Sequence, residues 1–316
     1  MSDDTFALSD VFVAGASTAL GQALVRRLRA EPGVRLVGLD GGPNLSERSE
    51  VDQFFGDTRP AAVIVAAGRA AGIAGNQRFP ADLMLDNLLV AAHVIPAAFR
   101  HGAGKLLYLG SSCIYPRLAA QPLVVSSLWT GPVEPTSGPY AVAKLAGLTL
   151  CEAYRRQHGA KFITAIKADA FGPGDEFDSA NSHVVGALIR RLHDARTSGA
   201  ATLEVWGSGA PRREFIYICD LADACVFLLR RYDGDEPINV GTGVSTSIRE
   251  LAERLKEIVG FQGRLTFDST RPDGAPLKGL DSSPLRQMGW APAWDLNTAL
   301  AKTYAWFCEE CEGVNR

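Results

Sequence analysis

The chain has 316 residues, 47% of them hydrophobic and 21% charged, with a net charge of -3 at pH 7. That balance excludes a disordered chain and argues against nucleic acid as the main partner, because a phosphate backbone demands a basic face. Six cysteines are scattered at 113, 151, 219, 225, 308 and 311, unlike a secreted disulfide scaffold, and Cys308 to Cys311 is a lone CxxC without a neighbouring His, so no metal site is expected.

Met1-Ser2-Asp3-Asp4 lacks the basic start and apolar run of a signal peptide, and no apolar stretch reads as membrane-spanning, so a cytoplasmic protein with no membrane contact is expected. Asp10 to Gly15 is a short apolar run ending in Gly, and Thr18 to Ala30 follows with Leu20, Leu24 and Leu28 at helical spacing. A second strand is predicted over Val34 to Leu39, a helix over Ser46 to Phe55, and a strand over Val63 to Ala67 ending in Gly68. Helix Pro80 to His101 and strand Lys105 to Leu109 come next, the strand again closing on Gly110. This alternation predicts a doubly wound, Rossmann-like parallel sheet with helices on both faces and ligands beyond the carboxyl ends of its strands. After Phe171-Gly172-Pro173-Gly174 the strands shorten and Pro, Gly and charge become denser. Residues 1–170 with about 214–242 are therefore expected to form a dinucleotide-binding domain, and 171–213 with 243–316 a smaller α/β substrate domain. Phe215 to Ile218 and Ile238 to Gly241 are expected to return to the large sheet.

Gly15-Ala16-Ser17-Thr18-Ala19-Leu20-Gly21 keeps the first and last glycines of a phosphate-binding turn, with Thr18 in place of the middle one. The following helix would offer free N–H groups and a positive dipole end to a pyrophosphate. Asp40, about 20 residues beyond those glycines, is the residue type that bonds a ribose 2'-OH and repels a 2'-phosphate. No Arg lies between Arg35 and Arg48, so these residues favour NAD(H). Further on, Tyr140 and Lys144 stand four apart in an Ala-rich run and share a helix face. An ammonium beside a phenol favours the phenolate, so Lys144 is expected to lower the pKa of Tyr140 for proton transfer.

Several longer motifs surround that pair: Gly110-Ser111-Ser112-Cys113-Ile114-Tyr115-Pro116, Glu134-Pro135-Thr136 leading to Tyr140-Ala141-Val142-Ala143-Lys144, Asn181-Ser182-His183-Val184, Val205-Trp206-Gly207-Ser208-Gly209, Arg213-Glu214-Phe215, Asn239-Val240-Gly241-Thr242-Gly243, Pro272-Asp273-Gly274 and Gly289-Trp290. With them the chain resembles the extended short-chain dehydrogenase/reductases, and among these the GDP-L-fucose synthase family, over nearly its whole length. The resemblance implies epimerisation of a GDP-linked 4-keto-6-deoxyhexose at C3 and C5 and hydride reduction at C4, NADP(H) as cofactor, and a homodimer. Ser111 and Tyr140 would stabilise the enolate and C4 oxygen, Cys113 and His183 would be the acid/base pair, and Lys144 would also bond the nicotinamide ribose. Cationic neighbours are expected to ease Cys113 toward its thiolate. Arg191 and Arg213 would hold the diphosphate, with Trp206 and Lys278 on the nucleotide sugar.

Cofactor contacts are expected from Gly15, Ser17, Thr18, Ala19, Leu20, Gly21, Asp40, Ala66, Ala67, Gly68, Leu109, Gly110, Ser111, Lys144, Lys167, Asp169 and His183. The chain departs from the family pattern on this side, in Thr18, in the Asp40-Gly41-Gly42 segment, and in Lys167-Ala168-Asp169-Ala170, where the family reads Pro-Thr-Asn-Leu. Two other readings stay open at this point: a related nucleotide-sugar reductase or epimerase with one of the two activities, and a non-catalytic nucleotide-binding protein.

Overall fold

A computed structural model describes residues 5–177, 182–271 and 273–314. Asn181 and Pro272 of the quoted motifs, and the segment Met1 to Asp4, lie outside these residues, as does the side chain of Cys311. The first half of the chain alternates as the sequence predicts: β1 (Asp10–Ala14), α1 (Ala19–Arg29), β2 (Arg35–Val37), α2 (Arg48–Thr58), β3 (Ala62–Val65), α3 (Ile73–Arg78), α4 (Pro80–Arg100), β4 (Lys105–Ser111), α5 (Gly138–His158) and β5 (Phe162–Lys167). There follow β6 (Asp169–Phe171), α6 (Val184–Thr197), β7 (Thr202–Trp206), β8 (Arg212–Tyr217), α7 (Ile218–Arg231), β9 (Ile238–Val240), β10 (Ser245–Ser247), α8 (Ile248–Val259), β11 (Arg264–Asp268), β12 (Leu277–Lys278), α9 (Ser283–Gln287) and α10 (Leu296–Val314).

The large sheet is parallel, in the order β2-β1-β3-β4-β5-β9. Its strands are continuous apolar runs because helices cover both faces; Val63, Ile64 and Val65 of β3 are fully buried. α1 turns Leu24 and Leu28 into that core, as its spacing predicts. The order reverses between β1 and β3, which opens a crevice at the carboxyl ends of these strands. α5 lies on α4 and β4, and Gly147 lets it approach: a Cβ there would fall 2.3 Å from the Tyr108 ring.

β9 joins this sheet as expected, but β8 does not. It pairs antiparallel with β10 and parallel with β12 and β6, in a separate small sheet, while β7 and β11 form a third. The apolar run through Phe215 misled because Phe215 and Tyr217 pack against Phe171 and belong, with Leu251 and Leu255, to a second core. The expectation about membrane-spanning stretches also needs correction. Pro80–Arg100 is long and apolar enough to cross a membrane, yet it packs between α2 and α5 and buries Leu83, Val90, Val94 and Ile95.

Several of the quoted motifs prove to be ties between layers. The Tyr115 hydroxyl donates to Asn239 Oδ1 at 2.7 Å, and Asn239 donates to the Leu123 carbonyl at 2.8 Å. Trp290 Nε1 donates to Asp223 on α7 at 2.9 Å. Glu214, buried on β8, accepts from the Gly243 and Leu280 N–H groups, each at 2.6 Å. A Cβ at Gly241 would fall 2.1 Å from that carboxylate, so the glycine is what lets the loop close over it.

Candidate active site

A cleft of about 840 Å³ runs from the start of α1, past the ends of β3 and β4, to β6, β8 and β12. The expected residues Thr18, Ala19, Leu20, Ala66, Ala67, Gly68, Leu109, Gly110, Ser111, Cys113, Tyr140, Lys144, Lys167, Asp169, His183, Arg191, Trp206, Arg213 and Lys278 all line it. Gly15, Ser17, Gly21 and Asp40 do not.

Gly15 and Gly21 act one layer back. Gly15 has φ +92, and a Cβ on it would fall 2.7 Å from Ala67 Cα; one on Gly21 would fall 1.9 Å from the Gly15 carbonyl oxygen. These glycines let the turn, β3 and α1 touch. Thr18 is the N-cap of α1: its hydroxyl donates to the Gly15 carbonyl at 2.8 Å and accepts from the Gly21 N–H at 3.0 Å. The side chain in place of the middle glycine therefore folds back on the turn, and the first-turn N–H groups of Ala19 and Leu20 are left to a ligand. At the far end of this wall, Gly68 (φ +119) has no room for a side chain, since its Cβ would meet Asn87 Oδ1 at 2.2 Å and Lys144 Nζ at 3.5 Å. Among the described residues Asn87 Oδ1 is buried without a hydrogen-bond partner, and the Lys144 ammonium has only a long 3.5 Å bond to the Ala67 carbonyl. Free N–H groups at one end and under-used polar atoms at the other fit a dinucleotide.

β4 delivers Ser111 at its last position, a 3-10 turn over Ser112–Ile114 delivers Cys113, and α5 delivers Tyr140 and Lys144. Burial pushes the Tyr140 phenol well above its ordinary range, opposed by its hydrogen bond with Ser111. Burial, then the Lys167 charge, lowers Lys144 to about 8. The expectation that Lys144 would draw the phenol down is thus corrected: both groups are enclosed, and desolvation is the largest influence on each. The thiol of Cys113 is likewise pushed up by burial, against the pull of Ser111, Lys278 and Lys167, so cationic neighbours do not leave it a resting thiolate. His183, the N-cap of α6, opens onto the cleft but is ringed by protein; this enclosure, with Lys167 and Lys278 nearby, lowers it to about 4. It is a neutral imidazole at pH 7.

Asp169 stands at the centre of the charged part. Burial alone would raise its carboxyl, but Lys278, Arg213, Lys167 and His183 hold it down at about 2. Lys278 Nζ donates to Asp169 Oδ1 at 3.1 Å, and the Ser112 hydroxyl approaches the same oxygen at 3.4 Å. Arg191 donates to the Glu204 carbonyl on β7, and Arg213 is enclosed near Asp169, Glu134 and Asp273. Trp206 is 55% exposed at the cleft rim, which removes core packing as its role, and the Arg271 guanidinium lies 4.9 Å from its ring centre. Arg271 was passed over in the sequence, although it directly precedes the Pro272-Asp273-Gly274 motif.

The model of the NAD dependent epimerase/dehydratase family matches residues 11–241. An Arabidopsis thaliana protein, putative GDP-L-fucose synthase 2, is 47% identical over 300 residues, covering 95% of this chain and 92% of its own. Among solved structures, a GDP-L-fucose synthetase from Naegleria fowleri bound to NADP has a TM-score of 0.88 at 25% identity, covering 98% of both chains. A GDP-mannoheptose C4 reductase from Campylobacter jejuni with NADP bound has a TM-score of 0.83 at 30% identity, over 95% of this chain and 98% of its own. Both hold NADP, which overturns the NAD(H) preference read from Asp40. The physical reason is local. β2 ends at Val37, and the next residue is Gly38 at φ +77, so the strand end carries no acidic side chain; Asp40 is exposed in the turn beyond it. The chain belongs to the NAD dependent epimerase/dehydratase family and, within it, to the GDP-L-fucose synthases.

Proposed function

We infer that the protein converts GDP-4-keto-6-deoxy-D-mannose to GDP-L-fucose, epimerising C3 and C5 and then reducing C4, with NADP(H) as cofactor. The observation that carries this reading is that Cys113 and His183 share one cleft with Ser111, Tyr140 and Lys144. The second set is what a ketone reductase needs; the first is what an epimerase needs in addition.

The residues would divide the work as follows. Hydrogens at C3 and C5 flank the C4 ketone, so loss of either leaves an enolate whose oxygen the Ser111 and Tyr140 hydroxyls can stabilise. At neutral pH His183 has a free lone pair and Cys113 holds its proton. One group can therefore take a proton from carbon while the other supplies one, and inversion follows when the two act on opposite faces. The bound nicotinamide supplies the hydride for C4. Tyr140, kept protonated by its burial, would give its proton to the C4 oxygen, with Lys144 and the N–H groups of Ala19 and Leu20 holding the cofactor. Arg191, Arg213, Trp206 and Lys278 would bind the GDP-sugar, where forked cations suit a diphosphate.

The test is to incubate the protein with the 4-keto sugar and NADPH in deuterated water and analyse the product by NMR. GDP-L-fucose with deuterium at C3 and C5 is expected. A reduced product without deuterium at either carbon would leave a simple 4-reductase and reject the epimerase half.

A further inference from the structure

The fold places Lys167 and Asp169 both inside the site. Lys167 is the last residue of β5, in register with Ser111 on β4, and Asp169 opens β6 two residues later. Both line the cleft with Cys113 and His183. We propose that Lys167 and Asp169 are an opposed pair of positioning residues for proton transfer, Lys167 favouring the Cys113 thiolate and the neutral His183 imidazole, Asp169 favouring the thiol and the imidazolium.

The surroundings support that assignment. Cys113 is faced by Lys167 from β5, Asp169 from β6, Lys278 from β12, Tyr140 and Lys144 from α5, and Tyr108 from β4. His183 is faced by Lys167, Asp169 and Lys278. Lys278 is already engaged by Asp169 at 3.1 Å, whereas Lys167 makes no such short pair among the described residues. Both ammonium groups draw the Cys113 thiol down, Lys278 more than Lys167, and Asp169 offsets Lys167 through its charge without a short contact. Burial makes a thiolate costly here, so a fixed cation beside it lowers the cost at the moment Cys113 has given up its proton. Asp169 does the same for His183 when it has accepted one.

This proposal rests on the acid/base reading of Cys113 and His183, and its test avoids turnover. Alkylation of Cys113 by iodoacetamide is followed by peptide mass spectrometry from pH 6 to 10 in the intact protein, in Lys167→Met, in Lys167→Arg and in Asp169→Asn, with Cys113→Ala as the labelling control. At pH 7 the Lys167→Met protein is expected to react several-fold more slowly, its profile displaced to higher pH, and Lys167→Arg to keep the wild-type profile. Asp169→Asn is expected to react faster, the opposite sign. Lys167→Gln replaces Lys167→Met if the latter does not fold. Equal profiles in all proteins would overturn the proposal, and so would a shift in the same direction in both variants, which would mark general loosening of the site. Failure of the product assay with opposite-sign alkylation shifts intact would reject the reaction but leave the electrostatic pair standing.

Discussion

Where the large sheet borders the cleft, the lining is Ala66, Ala67, Gly68, Leu109 and Gly110, and the polar contacts on offer come chiefly from backbone and from Lys144. Where β6, β8 and β12 border it, the lining is charged: Asp169, Arg213 and Lys278, with Lys167 and His183 beside them. The first wall binds by shape and by the start of α1, so its side chains can change if the glycines at 15, 21 and 68 remain. Thr18 illustrates this, since its side chain caps the helix and leaves the approach open. The second wall works through mutual charge, so that one substitution alters the protonation of several neighbours.

Tyr140 stands at the junction of the two walls, and its loss should have the largest effect. Tyr140→Phe removes the proton donor to the C4 oxygen, so NADPH oxidation should fall by about 10²- to 10⁴-fold. Because Cys113 and His183 are untouched, deuterium exchange from solvent into C3 and C5 should remain detectable by NMR. Loss of exchange together with reduction would mean that the walls act as one unit rather than two.

How far each wall could be read from sequence follows from what builds it. The strand-Gly repeats at Gly15, Gly68 and Gly110 located the first wall closely, because apolar runs ending in glycine report backbone geometry directly. The second was visible only as scattered motifs: nothing in local periodicity shows that Asp169, Arg213 and Lys278 meet, because β6, β8 and β12 pair across long separations. For the same reason β8 was mistaken for a strand of the large sheet. Charge effects were the least legible. The Tyr140 to Lys144 spacing gave the pairing but not the burial, and burial decides the direction of both pKa shifts.

The charged wall should reveal itself in stability. Asp169 is ionised among three cations, with its pKa held at about 2 against about 3.9 in an unfolded chain. A carboxylate depressed in this way stabilises the fold above the unfolded pKa, and that contribution is lost as pH falls through the folded value. Asp169→Asn should therefore cost about 1 to 2 kcal/mol at pH 7, allowing for a side chain that is partly exposed, and urea denaturation should find the gap from wild type closing between about pH 4 and pH 2. A gap constant with pH would show that packing, not charge, holds this wall together.

Asp40 offers the smallest effect and the sharpest check on the first wall. It lies three residues past Val37, exposed in a turn, with Gly38 occupying the strand end and no contribution to the cleft lining. An acidic side chain selects against a 2'-phosphate only when the backbone fixes it beside the ribose. A surface residue without that anchorage changes binding by roughly 0.5 kcal/mol or less, so Asp40→Ala should leave the KM for NADPH within about twofold of wild type. A tenfold fall in KM would place the carboxylate against the cofactor after all, and the wall that binds through backbone would then have a charged side chain setting its specificity.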